Sequence, residues 1–156
     1  MADHQKATVT LPSDPLSVAE ARGYVARVLA GWGLHGSTDI ADAIRLIVSE
    51  LTTNAVQHTS GQSPTFTVDL RLDRDAELYL GVTDSHPRHP RRLSGATRQD
   101  NGRGLVIVRA LADECGGRFT VRPVPEGGKT VAITVPWPGA ASAALENGLY
   151  SDIDAK

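Results

Sequence analysis

The sequence predicts an α/β fold, a two-layer sandwich with helices packed on one face of a mostly antiparallel, mixed sheet. Three observations carry that expectation. Short alternating segments and longer segments of helical period follow one another in the order β-α-α-β-β-loop-α-β-β. Two pairs of strand-like segments are joined by short polar turns, as hairpins require and parallel crossovers do not. The 156 residues fit one domain, long enough to bury about two-thirds of the surface that its unfolded chain exposes. Apolar residues make up 40% but aromatics only 4%, so the core must be built from Val, Leu, Ile and Ala.

Residues 7–11, ATVTL, alternate as a short strand. Asp14 is placed to accept bonds from free N–H groups at a helix start. Pro15 suits the first helical position, where its missing N–H is not needed. A helix from there towards Leu29 puts Leu16, Val18, Val25, Val28 and Leu29 mostly on one side, and Gly31, Gly33 and Gly36 end it. Ser37 or Thr38 opens a second helix running to about His58. Pro64 precedes the strand TFTVDLRL, Asp73-Arg74-Asp75 reads as a turn, and ELYLGVTD is the antiparallel partner. Residues 84–101, DSHPRHPRRLSGATRQDN, show no periodicity and read as a long loop, functional or mobile. After it GRGLVIVRALADEC has helical spacing. Either Val106, Ala110 and Asp113 or Leu105, Val108 and Leu111 form its buried stripe, and Gly116-Gly117 stops it. RFTVRPV, a PEGG turn and KTVAITV make the last hairpin. The expected organisation is a flexible start at residues 1–6, the domain at 7–136, and a peripheral or disordered tail at 137–156.

Composition excludes several function classes. The formal net charge of −2 argues against bulk binding of nucleic acid. The single cysteine, Cys115, cannot make a disulfide framework or a thiolate zinc site. No apolar run approaches the roughly 20 residues that span a bilayer. The start, MADHQKATVT, lacks the apolar stretch of a signal peptide. The expectation is a cytoplasmic domain without membrane or direct nucleic-acid contact.

Four places carry candidate chemistry. On the second helix Ile40, Ile44, Ile47 and Leu51 fall in one arc facing the sheet. With Ile47 at zero, Asn54 falls at about −20° and Glu50 at about −60°. An amide and a carboxylate one turn apart thus sit on the rim of the buried stripe, where an unpaired polar group costs free energy. A hydrated metal ion would satisfy both; the plainer reading, which the helix alone favours, is that Glu50 is a solvated rim residue and Asn54 caps a neighbouring loop. His58, one turn further on, is a secondary candidate. Asp84 stands where an apolar strand breaks into the long loop. It can accept from an exocyclic amine, or simply form a turn. Asn101-Gly102-Arg103-Gly104-Leu105 puts two glycines at a loop-to-helix junction, where close backbone approach and free N–H groups favour an anion. The preceding segment is basic, with Arg88, Arg91, Arg92, Arg98 and Arg103 opposed only by Asp100; a solvated, charge-rich loop would read the same.

Gly127-Gly128-Lys129-Thr130 is not a Walker A loop, because Pro123 stands where its first glycine belongs and a strand follows. His86 and His89 have metal-like spacing without a third ligand nearby. No Gly-x-Ser-x-Gly elbow exists for a serine hydrolase.

In order, VSELTTNAVQH (48–58), VTDSHPRHP (82–90), NGRGLVIVRALAD (101–113) and GGKTVAITVP (127–136) resemble the N box, adenine-site box, glycine box and terminal Gly-x-Thr strand of the GHKL ATPase superfamily. That superfamily includes gyrase, heat-shock chaperones, histidine kinases and MutL. The resemblance is strongest to its anti-sigma-factor serine/threonine kinases, of the stand-alone actinobacterial type. It implies a Bergerat-type fold and the cofactors ATP and Mg²⁺. It implies Glu50 as general base, Asn54 as the Mg²⁺ ligand and Asp84 as reader of the adenine amine. Gly102 and Gly104, with the loop before them, would hold the phosphates, and Thr130 would support the adenine end. Pro87, Asn101, Arg103 and Leu105 complete the implied nucleotide contacts. The implied partners are a sigma factor and a STAS-type anti-anti-sigma protein that is phosphorylated, with a homodimer also open. Ser85-His86-Pro87-Arg88 departs from the family, which carries glycines after the adenine aspartate. The other reading of the resemblance is a nucleotide-gated binding module with little or no turnover.

Overall fold

Alternation along five strands gives the sheet two unlike faces, and the helices settle on the apolar one. The structure, a computed structural model, describes residues 5–34, 39–59, 64–73, 77–84, 95–125 and 127–136, except for the side chains of 58, 59 and 95–103. The elements are β1 (Gln5–Pro12), α1 (Leu16–Gly31), α2 (Asp39–Thr59), β2 (Thr65–Leu72), β3 (Glu77–Asp84), α3 (Gly95–Glu114), β4 (Arg118–Pro123) and β5 (Lys129–Pro136). The sheet order is β1-β2-β3-β5-β4, and all four pairings are antiparallel. The α/β sandwich is therefore the expected one, and its described sheet is antiparallel throughout.

Register explains the layering. Val9 pairs with Val68, Val68 with Val82 and Val82 with Val131, so one row of β-branched side chains crosses four strands on a single face. Leu70, Leu80 and Ile133 form the next row and are fully buried. The other face is rich in threonine. There Thr10 and Thr67 share a hydroxyl hydrogen bond of 2.9 Å, and Thr83 and Thr130 one of 2.7 Å. Such cross-strand pairs help hold a solvated face in register.

Of the arc foreseen on α2, Ile44, Ile47 and Leu51 are fully buried and Ile40 partly so. α2 lies between α1 and α3 and over β2 and β3, while α3 packs on β4 and β5. At the start of α1 the Leu16 N–H donates to Asp14 Oδ1 at 2.8 Å, and Pro15 already has helical dihedrals. Both helix ends marked by glycine close alike. Gly33 N–H donates to the Ala30 carbonyl and Leu34 N–H to the Leu29 carbonyl; Gly116 and Gly117 do the same to Asp113 and Ala112. This is the Schellman arrangement, whose left-handed residue suits glycine, here Gly116 at φ +78°.

Three expectations need correction, and one open alternative is settled. Leu16 is 82% exposed, because the buried stripe of α1 runs through Ser17, Ala21, Val25 and Leu29, four residues apart; a residue one step away turns about 100° off that line. Residues 5 and 6, expected in a flexible start, belong to β1 and pair with Leu72 and Arg71. The long loop is shorter than expected, because α3 begins at Gly95. Its first turns, GATRQDN, contain no apolar stripe, so periodicity could not reveal them. On α3 the stripe is Leu105, Val108 and Leu111 with Ala112, whereas Val106 is 66% exposed. Residues 85–94, Ser37 and Thr38, and the tail at 137–156 lie outside the described residues.

Burial makes a direct forecast. Ile47→Ala should lower unfolding free energy by about 3 kcal/mol through lost transfer energy and a residual cavity. Leu16→Ser should stay within about 0.5 kcal/mol of the original protein. Urea denaturation checks both.

Candidate functional site

Two clusters of candidate residues assemble, one on the helices and one at a strand end. On α2, Leu51 anchors the helix in the core, which leaves Glu50 half-buried on the flank next to α3. The contact there is close: a Cβ added at Gly104 would lie 2.8 Å from Glu50 Oε1. A side chain at position 104 would require the Glu50 carboxylate to move aside. Asn54, one turn further along α2, is 4% exposed. Its Nδ2 has no hydrogen-bond partner among the described residues. By contrast, the neighbouring buried hydroxyl of Thr52 donates to the Val48 carbonyl at 2.7 Å. A buried amide left open costs on the order of 1–3 kcal/mol, so Asn54 suits an incoming group. Its oxygen can take a hard cation and its nitrogen can donate to an anion. Among the described residues no three His, Cys, Asp or Glu side chains are grouped to hold a metal. A cation at Asn54 would complete its shell from phosphate oxygens and water, which is how Mg²⁺ is commonly held.

The second cluster forms where β3 and β5 end side by side. Leu78, Leu80 and Val82 face the helices, and alternation carries Asp84 onto that same face, 4% exposed. Lys129 faces the same way, in step with Val131, Ile133 and Val135. Its Nζ lies 3.1 Å from Asp84 Oδ2, and its backbone N–H donates to Oδ1 at 3.2 Å. Gly128, at φ +87°, allows this approach, since a Cβ there would stand 2.5 Å from both Asp84 Oδ1 and the Asp84 carbonyl.

The remaining candidates fall differently. Thr130 does not join Asp84. It lies on the opposite face of the sheet, bonded to Thr83, because strand side chains alternate and its neighbour Lys129 takes the inner position. Asn101, Gly102, Arg103 and Gly104 are not at a helix start. They lie within α3, several residues past Gly95, where N–H groups bond to carbonyls four residues back. The argument from free N–H groups at Gly102 and Gly104 therefore does not hold, and Gly104 instead gives room to Glu50. Leu105 packs against the core. Pro87, Arg88, Arg91 and Arg92 lie outside the described residues, as do the side chains of His58, Arg98 and Arg103. Lys129 was missed as a site residue, although the inward alternation of Val131, Ile133 and Val135 points to it.

The described residues thus form an antiparallel sheet covered by helices on one face, with Glu50 and Asn54 on the central helix and Asp84 at a strand end. The description of the histidine kinase-like ATPase domain matches residues 11–135. The chain belongs to that family, within the GHKL superfamily. It is 31% identical over 109 residues to the sensor histidine kinase component HK1 of Mycobacterium tuberculosis, covering 62% of each chain. Its fold is similar to that of the histidine kinase domain of the blue-light-activated histidine kinase of Erythrobacter litoralis EL346, with a TM-score of 0.51 and 20% identity over 82% of this chain and 62% of that one. It is also similar to full-length ShkA in complex with AMPPNP, with a TM-score of 0.53 and 18% identity over 81% of this chain and 31% of the other. The chain thus spans less than two-thirds of the length of each. The family match carries the histidine kinase-like ATPase domain and not the narrower anti-sigma branch, while the two solved structures carry the fold. Among the described residues no helix is long and apolar enough to cross a membrane.

Proposed function

We propose that the protein is an ATP-binding regulator, an anti-sigma factor that uses Mg-ATP to phosphorylate a serine or threonine of a STAS-type anti-anti-sigma partner in the cytoplasm. The observation that carries this reading is the half-buried Glu50 carboxylate. It is held against Gly104 one turn from the open amide of Asn54. A module that only binds nucleotide has no need of a base there. Glu50 accepts the proton of the partner's hydroxyl while that oxygen bonds to the γ-phosphorus and the bond to the β–γ bridging oxygen breaks, leaving ADP. Asn54 would hold Mg²⁺ by its amide oxygen, and the ion would supply charge to offset that gathering on the phosphate oxygens. Asp84 accepts from the adenine amine at the strand end. The basic segment from Arg88 to Arg103 favours a triphosphate by its charge.

Labelled ATP, Mg²⁺ and candidate partner proteins test this directly. Label transfer to a serine or threonine of a STAS-type partner, abolished by EDTA, supports it; transfer to histidine, or none to any partner, overturns it. Gly104→Ala should lower transfer about tenfold by displacing the Glu50 carboxylate, since small misplacements of reacting groups are costly. It should leave nucleotide affinity nearly unchanged, as equilibrium dialysis would check.

One observation favours a second reading, a nucleotide-gated binding module with little turnover. Both Asp84 oxygens are already engaged by Lys129, which on this reading limits nucleotide affinity. ATP binding that shifts partner affinity without label transfer would select it.

A further inference from the structure

We propose that Lys129 reads the nucleotide base together with Asp84: its ammonium donates to the N1 acceptor of adenine while Asp84 accepts from the adjacent 6-amino group. The inference rests on the ATP binding proposed above and names how the strand end recognises its ligand.

Three observations lead to it. First, Lys129 breaks the pattern of its own strand. Val131, Ile133 and Val135 point inward and are buried, and at the next inward position stands a lysine whose side chain is only 16% exposed. Second, burial of such a pair is weak evidence of a stabilising role, because a buried ion pair can often be replaced by apolar residues of similar volume at little cost. A function beyond packing accounts for charges kept in that place. Third, the ammonium has more donors than this pair uses. The Lys129 backbone N–H holds Asp84 Oδ1, and the ammonium spends one donor on Oδ2 at 3.1 Å. An ammonium has three donors, and each carboxylate oxygen can accept more than one bond. The site therefore offers a donor and an acceptor side by side at close to hydrogen-bond spacing. Adenine presents the complement on one edge, a ring-nitrogen acceptor beside an amino donor. Asp84 alone answers only half of that edge.

The probe is 1-deaza-ATP, which keeps the 6-amino group and replaces N1 by C–H. Calorimetric binding to the whole chain is measured for ATP and 1-deaza-ATP, with the wild type and with Lys129→Met. The wild type should bind ATP about tenfold or more tightly than 1-deaza-ATP, the usual loss for a charge-assisted hydrogen bond. Lys129→Met should bind both nucleotides alike, at the weaker level. Equal binding of the two nucleotides by the wild type overturns the proposal, and that comparison does not depend on the variant's folding. So does a Lys129→Met protein that binds ATP as tightly as wild type or tighter, the result expected if the ammonium only blocks the carboxylate. Failure of the wild type to bind either nucleotide overturns the proposed function itself, a separate outcome.

Discussion

Glu50→Gln should retain ATP affinity within about twofold while phosphoryl transfer falls by about 10²–10⁴, the range associated with removing a positioned general base. Glutamine keeps the shape of the side chain and so keeps the contact with Gly104. What it lacks is a carboxylate able to accept the hydroxyl proton as the γ-phosphoryl group moves. On the proposed function binding survives because Glu50 is assigned neither to the phosphates nor to the base, contacts that the proposal gives to Asn54 and to the strand-end pair. The split between a large loss of transfer and a small change in affinity is diagnostic. A merely structural Glu50 would lower both together, and a protein without turnover would show no transfer to lose. Rapid-quench transfer of labelled phosphate, alongside calorimetric ATP binding, separates the three.

How far the sequence led depends on where each signal resides. Helix α2 was legible because Ile44, Ile47 and Leu51 repeat at helical spacing, and the same arithmetic placed Glu50 and Asn54 on its flank. Strands β2 and β3 were legible residue by residue from their alternation and the polar turn between them. The first turns of α3 were not, since a solvated helical turn leaves no apolar period to read. That miss displaced the chemistry as well, turning Gly102 and Gly104 into a supposed helix start. The contact between Gly104 and Glu50 is between two helices, and no local pattern in either segment encodes it. The position of Lys129 was different: alternation from Val131 already assigned it inward and Thr130 outward. There the motif Gly-x-Thr drew attention to Thr130, whose hydroxyl bonds to Thr83 on the opposite face.

Asp84→Ala should be the most damaging single change at the strand end, lowering unfolding free energy by about 3 kcal/mol. That corresponds to about 6–12 °C in Tm for a domain of this size. The cause is not the lost contact alone. Truncation leaves the Lys129 ammonium, only 16% exposed, without the carboxylate 3.1 Å away that offsets its charge, and an uncompensated buried charge is costly. Adding Lys129→Met removes that charge, so the Asp84→Ala/Lys129→Met protein should be more stable than Asp84→Ala by about 1–3 kcal/mol, the coupling expected of residues in direct contact. The two changes should part company on ligand binding. Stability returns in the double variant, but both groups assigned to the adenine edge are gone, so ATP affinity stays low. If instead affinity recovered with stability, the strand-end pair would be a folding element alone, and the base would have to be read elsewhere. Denaturant unfolding and ATP calorimetry on the same three proteins distinguish a site that merely supports the sheet from one that meets the nucleotide.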